Sequence, residues 1–163
     1  MEDDLCEALS RSCQGCRLQG GCCFQARPPL SRERMDILRR NGVPDEAMEF
    51  EGYWRLRART DGYCALFADG KCSIHSIKPE TCVAGPFTFD IKGGKLQIFL
   101  KREVICPMVG FLKANPNAYD SLMETSVDRI MHLVRSIPAA EMAEILKIDE
   151  PETDLVAEIA LKD

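Results

Sequence analysis

No hydrophobic run in this sequence is long enough to cross a bilayer. The longest, Val104 to Leu112, falls far short of the roughly 20 residues a spanning helix needs, so no membrane partner is expected. The opening Met-Glu-Asp-Asp-Leu-Cys-Glu is acidic and has neither the basic nor the apolar region of a secretory signal. A reducing cytoplasm is the expected compartment, and there clustered thiols serve as ligands or redox catalysts more often than as disulfides. The sequence also lacks G-x-x-x-x-G-K-[ST], a G-x-G-x-x-G after a strand, G-x-S-x-G and H-E-x-x-H. These absences remove the usual signatures of nucleotide binding, nucleophile-elbow hydrolysis and zinc proteolysis. The C-x3-C-x2-C pattern of most radical S-adenosylmethionine enzymes is missing too. Without an internal repeat, a low-complexity tract or a long linker, residues 1–163 read as a single domain.

Cysteine is what the sequence has. Nine in 163 residues lie below the roughly 8–10% of a short secreted disulfide scaffold, so their grouping is more informative than their number. Cys13-Gln-Gly-Cys16 and the adjacent pair Cys22-Cys23 form one group, and Cys64, Cys72, Cys82 and Cys106 follow. A C-x-x-C loop lets two thiolates converge on one metal while backbone N–H groups point at the sulfurs. A thioredoxin-like reading would require a strand before Cys13, and the surrounding sequence offers none. A disulfide-bonded fold would require an oxidising compartment. The spacing C-x2-C-x5-C-C favours metal over both.

Charge is unevenly spread. Residues 53–102 carry nine Lys/Arg against four Asp/Glu, and residues 103–163 carry five against twelve, within a formal net charge of −5. Ionised thiolates around a dication or cluster would leave an anionic centre for the basic middle to neutralise. That explanation is preferred here to a groove for an anionic substrate, and no nucleic-acid partner is expected. The acidic run Glu141 to Asp163 reads as a solvated helical face or a docking surface.

The expected fold class is α+β: a small irregular sheet and hairpin region, a loop-borne cysteine cluster and a C-terminal helical cover. Residues 1–30 read as an irregular loop, with a helical turn near Leu5 to Leu9 and closure at Pro28-Pro29. Ser31 is placed to cap a helix through Arg40, with Leu30 and Met35 as a hydrophobic staple and Gly42 past its end. Tyr53 to Arg59 alternates, and Phe87 to Ile91 and Leu96 to Leu100 flank Gly93-Gly94 as a β-hairpin. Asn117 is expected to cap a helix whose Tyr119, Leu122, Met123, Val127, Ile130, Met131 and Val134 make one apolar stripe. Short helices are expected after Pro138 (Ala139 to Ile148) and after Pro151 (Glu152 to Leu161). The metal region is therefore 13–107, and 108–163 is the C-terminal helical segment.

Cys64 to Cys72 reads as a hairpin with Asp69-Gly70 at the turn, presenting two ligands side by side. Lys78-Pro79-Glu80-Thr81-Cys82 reads as a proline-initiated turn that brings a seventh thiol inward. Cys106-Pro107 opens the C-terminal helices, where the positive end of a helix dipole favours a thiolate. Successive side chains of an extended segment point to opposite faces. Cys22 and Cys23 are therefore expected to face different partners, giving two adjacent metal sites or one polynuclear site. The expected ligands are Cys13, Cys16, Cys22, Cys23, Cys64, Cys72, Cys82 and Cys106, with Cys6 left over as a free thiol. His75, three residues after Cys72, could complete a Cys3His site, although packing or a hydrogen bond to a thiolate is the preferred role. His132 is expected to be a partly buried structural residue.

Cys13-x2-Cys16-x5-Cys22-Cys23, Cys64, Gly70-Lys71-Cys72-Ser73-Ile74-His75, Lys78-Pro79-x2-Cys82, Pro86-Phe87 and Cys106-Pro107 together resemble the zinc- or iron-chelating cysteine-cluster proteins of the CxxCxxCC, or YkgJ, type. The resemblance spans about residues 13–107. It implies eight metal-associated cysteines holding either zinc or an iron–sulfur cluster, the latter narrowly favoured. The family includes flagellin lysine N-methylases, which use S-adenosylmethionine. Where the family usually reads Arg-Pro-x-x-Cys-Arg, this chain has Lys78-Pro79-Glu80-Thr81-Cys82-Val83. An ammonium cannot reproduce the forked hydrogen bonding of a guanidinium. The functional expectation is a metal-binding accessory protein with a protein partner. The alternative is a small metalloenzyme, with protein methylase-like or electron-transfer activity.

Overall fold

The computed structural model describes residues 26–69, 71–106, 108–150 and 152–161. The expected N-terminal loop with its helical turn, and the partners of Cys22 and Cys23, lie outside the described residues.

Helix α1, Arg32–Arg40, starts where Ser31 accepts the Arg34 N–H on its side-chain oxygen at 3.1 Å and stops at Asn41. Gly42 follows at φ +88°, a left-handed conformation that glycine takes without a Cβ penalty. Leu30, Met35 and Leu38 are buried at its base. Strands β1 (Met48–Phe50) and β2 (Trp54–Leu56) pair antiparallel, followed by a smaller pair, β3 (Phe67–Ala68) and β4 (Lys71–Cys72). The alternating segment Tyr53 to Arg59 thus contributes three strand residues, and its extension survives as a bridge from Ala58 to Cys64. Side chains from α1, these ribbons and a 3-10 turn at His75–Ile77 fill a first core.

Pro79 then precedes helix α2, Glu80–Ala84, so the expected proline turn becomes the start of a short helix. Strands β5 (Phe87–Lys92) and β6 (Lys95–Lys101) form the expected hairpin, with Gly93 and Gly94 both at positive φ in the turn. Helices α3 (Met108–Ala114) and α4 (Pro116–Ser136) follow, α4 with Asn115 as its cap residue and Pro116 in its first turn. The start thus lies at Asn115 rather than Asn117, since Pro116 supplies a helical φ and lacks the N–H a first turn leaves unused. Every residue of the expected stripe packs in the second core, together with Phe87, Leu96, Ile98 and Leu100 of the hairpin. Pro138 precedes helix α5, Ala139–Ile145, whose Met142 and Ile145 close a third cluster with Tyr53 and Leu133.

The end of the chain corrects the sequence reading. Glu152 to Leu161 does not form a helix: Thr153–Ala160 is strand β7, antiparallel to β6 in a sheet of order β5-β6-β7. A ten-residue amphipathic run fits both periods, and pairing decides. β6 would otherwise present an open edge, and ladder bonds to β7 satisfy the backbone groups of both strands. The acidic side chains here are accordingly not a solvated helical face. Arg102 pairs with Glu152 at 3.1 Å and Asp154 at 3.2 Å, and Lys95 lies 3.6 Å from Glu158. The basic middle and the acidic tail meet in one sheet. The mixed α+β class is as expected, and among the described residues its C-terminal cover is three helices with one strand added at the edge of the sheet.

Candidate metal centre

The four described cysteines divide between the two larger cores. Cys64 is buried in the first core and Cys72 packs against it, whereas Cys106 packs against the second. Cys82 lies on α2, which packs on α4. The hairpin expected between Cys64 and Cys72 is present, but Cys72 pairs in register with Phe67, and Cys64 lies three residues before β3.

Local structure holds Cys64 on both sides. Upstream, Asp61 accepts the Tyr63 N–H at 3.0 Å and two guanidinium bonds from Arg59, and Arg59 Nη1 reaches the Phe67 carbonyl at 2.7 Å. Downstream, the chain turns back on itself, the Phe67 N–H donating to the Cys64 carbonyl at 2.9 Å. Burial pushes the Cys64 thiol up from its ordinary pKa, and the nearby Cys72 adds to this. The Leu66 N–H, Arg59 and the Phe67 N–H act in the opposite direction. A buried sulfur near a second sulfur, with a backbone N–H and a guanidinium that favour its ionised form, fits a thiolate held against a cation. The signal at Cys64 was legible only as the turn residues Asp69-Gly70, because its burial depends on packing between distant segments.

His75 stands on the 3-10 turn after Cys72, with Nδ1 3.5 Å from Lys78 Nζ; burial, and then Lys78, hold its imidazole below its ordinary pKa. Such a ring stays neutral and its neighbour is an ammonium, in keeping with a packing role. His132 departs from expectation. It is 51% exposed and sits 3.0 Å from Glu33, because residue 132 falls on the side of α4 that faces α1 rather than the sheet.

Sequence reading did not single out Arg34 and Glu80. Arg34 Nε and Nη2 donate to Glu80 Oε1 at 3.2 and 3.0 Å, and Nη1 donates to the Ile77 carbonyl at 3.2 Å. The two residues are 9% and 1% exposed, and Glu80 Oε2 is buried without a hydrogen-bond partner among the described residues. A charged pair in α1 and α2 with polar neighbours in sequence carries no signal of burial.

Among the described residues no group of three or more His, Cys, Asp or Glu side chains is placed to hold a metal. The four described thiols do not by themselves form a site. A cavity of about 340 Å³ lies elsewhere, against Leu100, Leu112, Tyr119 and Val156, with no cysteine in its lining. Among the described residues no helix is long and apolar enough to cross a membrane.

The fold is α+β, with one buried and three half-buried thiols among the described residues. The chain belongs to the CxxCxxCC family, described as "Putative zinc- or iron-chelating domain", whose model matches residues 12–107, more than half of the sequence. Metal binding, to zinc or iron, is the function that membership assigns. No curated protein and no solved structure matches the chain.

Proposed function

We propose that this chain is a metal-binding accessory protein of the cytoplasm, in which Cys64, Cys72, Cys82 and Cys106 act with Cys13, Cys16, Cys22 and Cys23 as thiolate ligands. Iron, in an iron–sulfur cluster, is preferred to zinc. The preference rests on family membership and on a donor set rich in sulfur and poor in histidine, soft enough for either metal. The observation that carries the reading is Cys64, a thiol buried in the first core with Cys72 packed against the same core. Burial of an unpaired thiolate is costly, and a shared cation removes that cost. When bound, the metal would supply a redox or structural centre. The chain's own contribution is to bury Cys64 and to hold Cys72, Cys82 and Cys106 half-buried.

The accessory role, with a protein partner and neither nucleic acid nor membrane, is preferred to the metalloenzyme alternative because the described cavity has no cysteine in its lining. Anaerobic purification followed by metal analysis and a visible spectrum tests the reading. Brown protein bleached by dithionite supports a cluster, colourless protein with stoichiometric zinc overturns the iron preference, and protein free of both metals overturns the reading.

A further inference from the structure

Arg34 and Glu80 join the two parts of the molecule that carry the described thiols. Arg34 lies on α1, whose Leu30, Met35 and Leu38 neighbours share the first core with Cys64 and Cys72. Glu80 opens α2, two residues before Cys82; this helix ends on Ala84 in the second core, beside Cys106, where Ser126 of α4 donates to the Ala84 carbonyl at 3.2 Å. Two thiols thus go with each side. Other polar ties between the sides, His132 to Glu33 and the Trp54 N–H to Glu141, are exposed or half-buried. The Arg34–Glu80 bond has both partners buried.

Its geometry is poor for a device that only stabilises. Both guanidinium bonds fall on one carboxylate oxygen, although the bidentate fork is the stronger arrangement. The second oxygen, Oε2, is buried without a hydrogen-bond partner among the described residues. Replacing a buried ion pair by apolar residues is often neutral or stabilising, and the best-attested use of such a pair is to fix registry. Here Arg34 also binds the Ile77 carbonyl, so one guanidinium grips residues 77 and 80 at the approach to Cys82.

We propose that Arg34 and Glu80 are positioning residues of the metal centre. The pair sets the separation between Cys64 and Cys72 on one side and Cys82 and Cys106 on the other, so metal affinity depends on it more than folding does. The proposal rests on the metal-binding reading above. It also gives the segment Lys78 to Val83, which lacks arginine, a guanidinium supplied from α1.

The test uses the full chain, freed of metal and titrated anaerobically with cobalt(II), whose thiolate charge-transfer band reports the coordination. The double variant Arg34→Met/Glu80→Leu is expected to match the native urea midpoint in the metal-free state. Its cobalt affinity should fall 10- to 100-fold, as on loss of residues that orient ligands, with a shifted band. A double variant with native affinity and native band overturns the proposal, as does a loss of affinity no larger than its loss of stability. Should the double variant fail to fold, Arg34→Lys decides on the same readings, since an ammonium keeps the charge but not the fork. Native affinity in Arg34→Lys then overturns the proposal. Native protein that takes up no cobalt, zinc or iron overturns the metal reading itself, a result visible before any variant is made.

Discussion

At Cys64 burial opposes ionisation of the thiol, while the Leu66 N–H and Arg59 favour it. Replacing Cys64 with Ser keeps the shape but removes a soft ligand, so metal content and thermal midpoint should fall together. Cys6→Ser should leave both unchanged, and metal loss in that variant would enlarge the ligand set. The turn before Cys64 has its own pH dependence. The Tyr63 N–H, and then Arg59, hold the Asp61 carboxyl below its ordinary pKa. A depressed carboxyl contributes stability that is complete above its unfolded pKa and disappears as pH falls through the folded one. Carboxyl NMR titration should therefore place the Asp61 midpoint below that of a free aspartate, and Arg59→Ala should raise it. Cys64 was partly legible, as a cysteine before the Asp69-Gly70 turn, whereas Asp61 was not singled out. Arg34 and Glu80 were not, since nothing in their immediate sequence indicates burial.

Among the elements, α4 followed its periodicity closely. Its stripe faces the sheet as the i, i+3, i+4 spacing requires, and Ile130 at the centre is fully buried. Ile130→Ala should cost about 2–5 kcal/mol in urea unfolding, because the surrounding core cannot collapse fully into the space left. On the opposite side of α4, the exposed His132–Glu33 pair is screened by solvent, so His132→Ala should change stability by under about 1 kcal/mol. β7 was the element that local pattern misassigned. Its Leu96↔Ile159 and Ile98↔Ala157 partners lie about sixty residues earlier, beyond any window of local periodicity. Arg102→Ala should remove the contacts to Glu152 and Asp154 and hasten amide exchange along β7 while leaving the β5-β6 hairpin protected.

For the molecule as a whole, metal bound to the native state alone adds stability by mass action. Chelation should lower the thermal midpoint, and restored metal should recover it. Because the chain has cores of its own beneath the described thiols, the metal-free protein should retain cooperative unfolding rather than behave as a small zinc finger does. By itself the sequence determined the soft, thiol-rich chemistry, the α+β class, the first helix, the Gly93-Gly94 hairpin and the stripe of α4. Each of these depends on residue identity, or on spacing over a few residues, where local sterics and hydrogen bonding decide. Only the tertiary structure decided that the tail adds a strand to β6, that Lys95 and Arg102 of the basic middle pair with acids of that tail, and that Cys64 and Cys72 go with the first core and Cys106 with the second, with Arg34 bonded to Glu80 between α1 and α2. Strand pairing, desolvation and the meeting of distant charges depend on which segments become neighbours, and no local pattern specifies that.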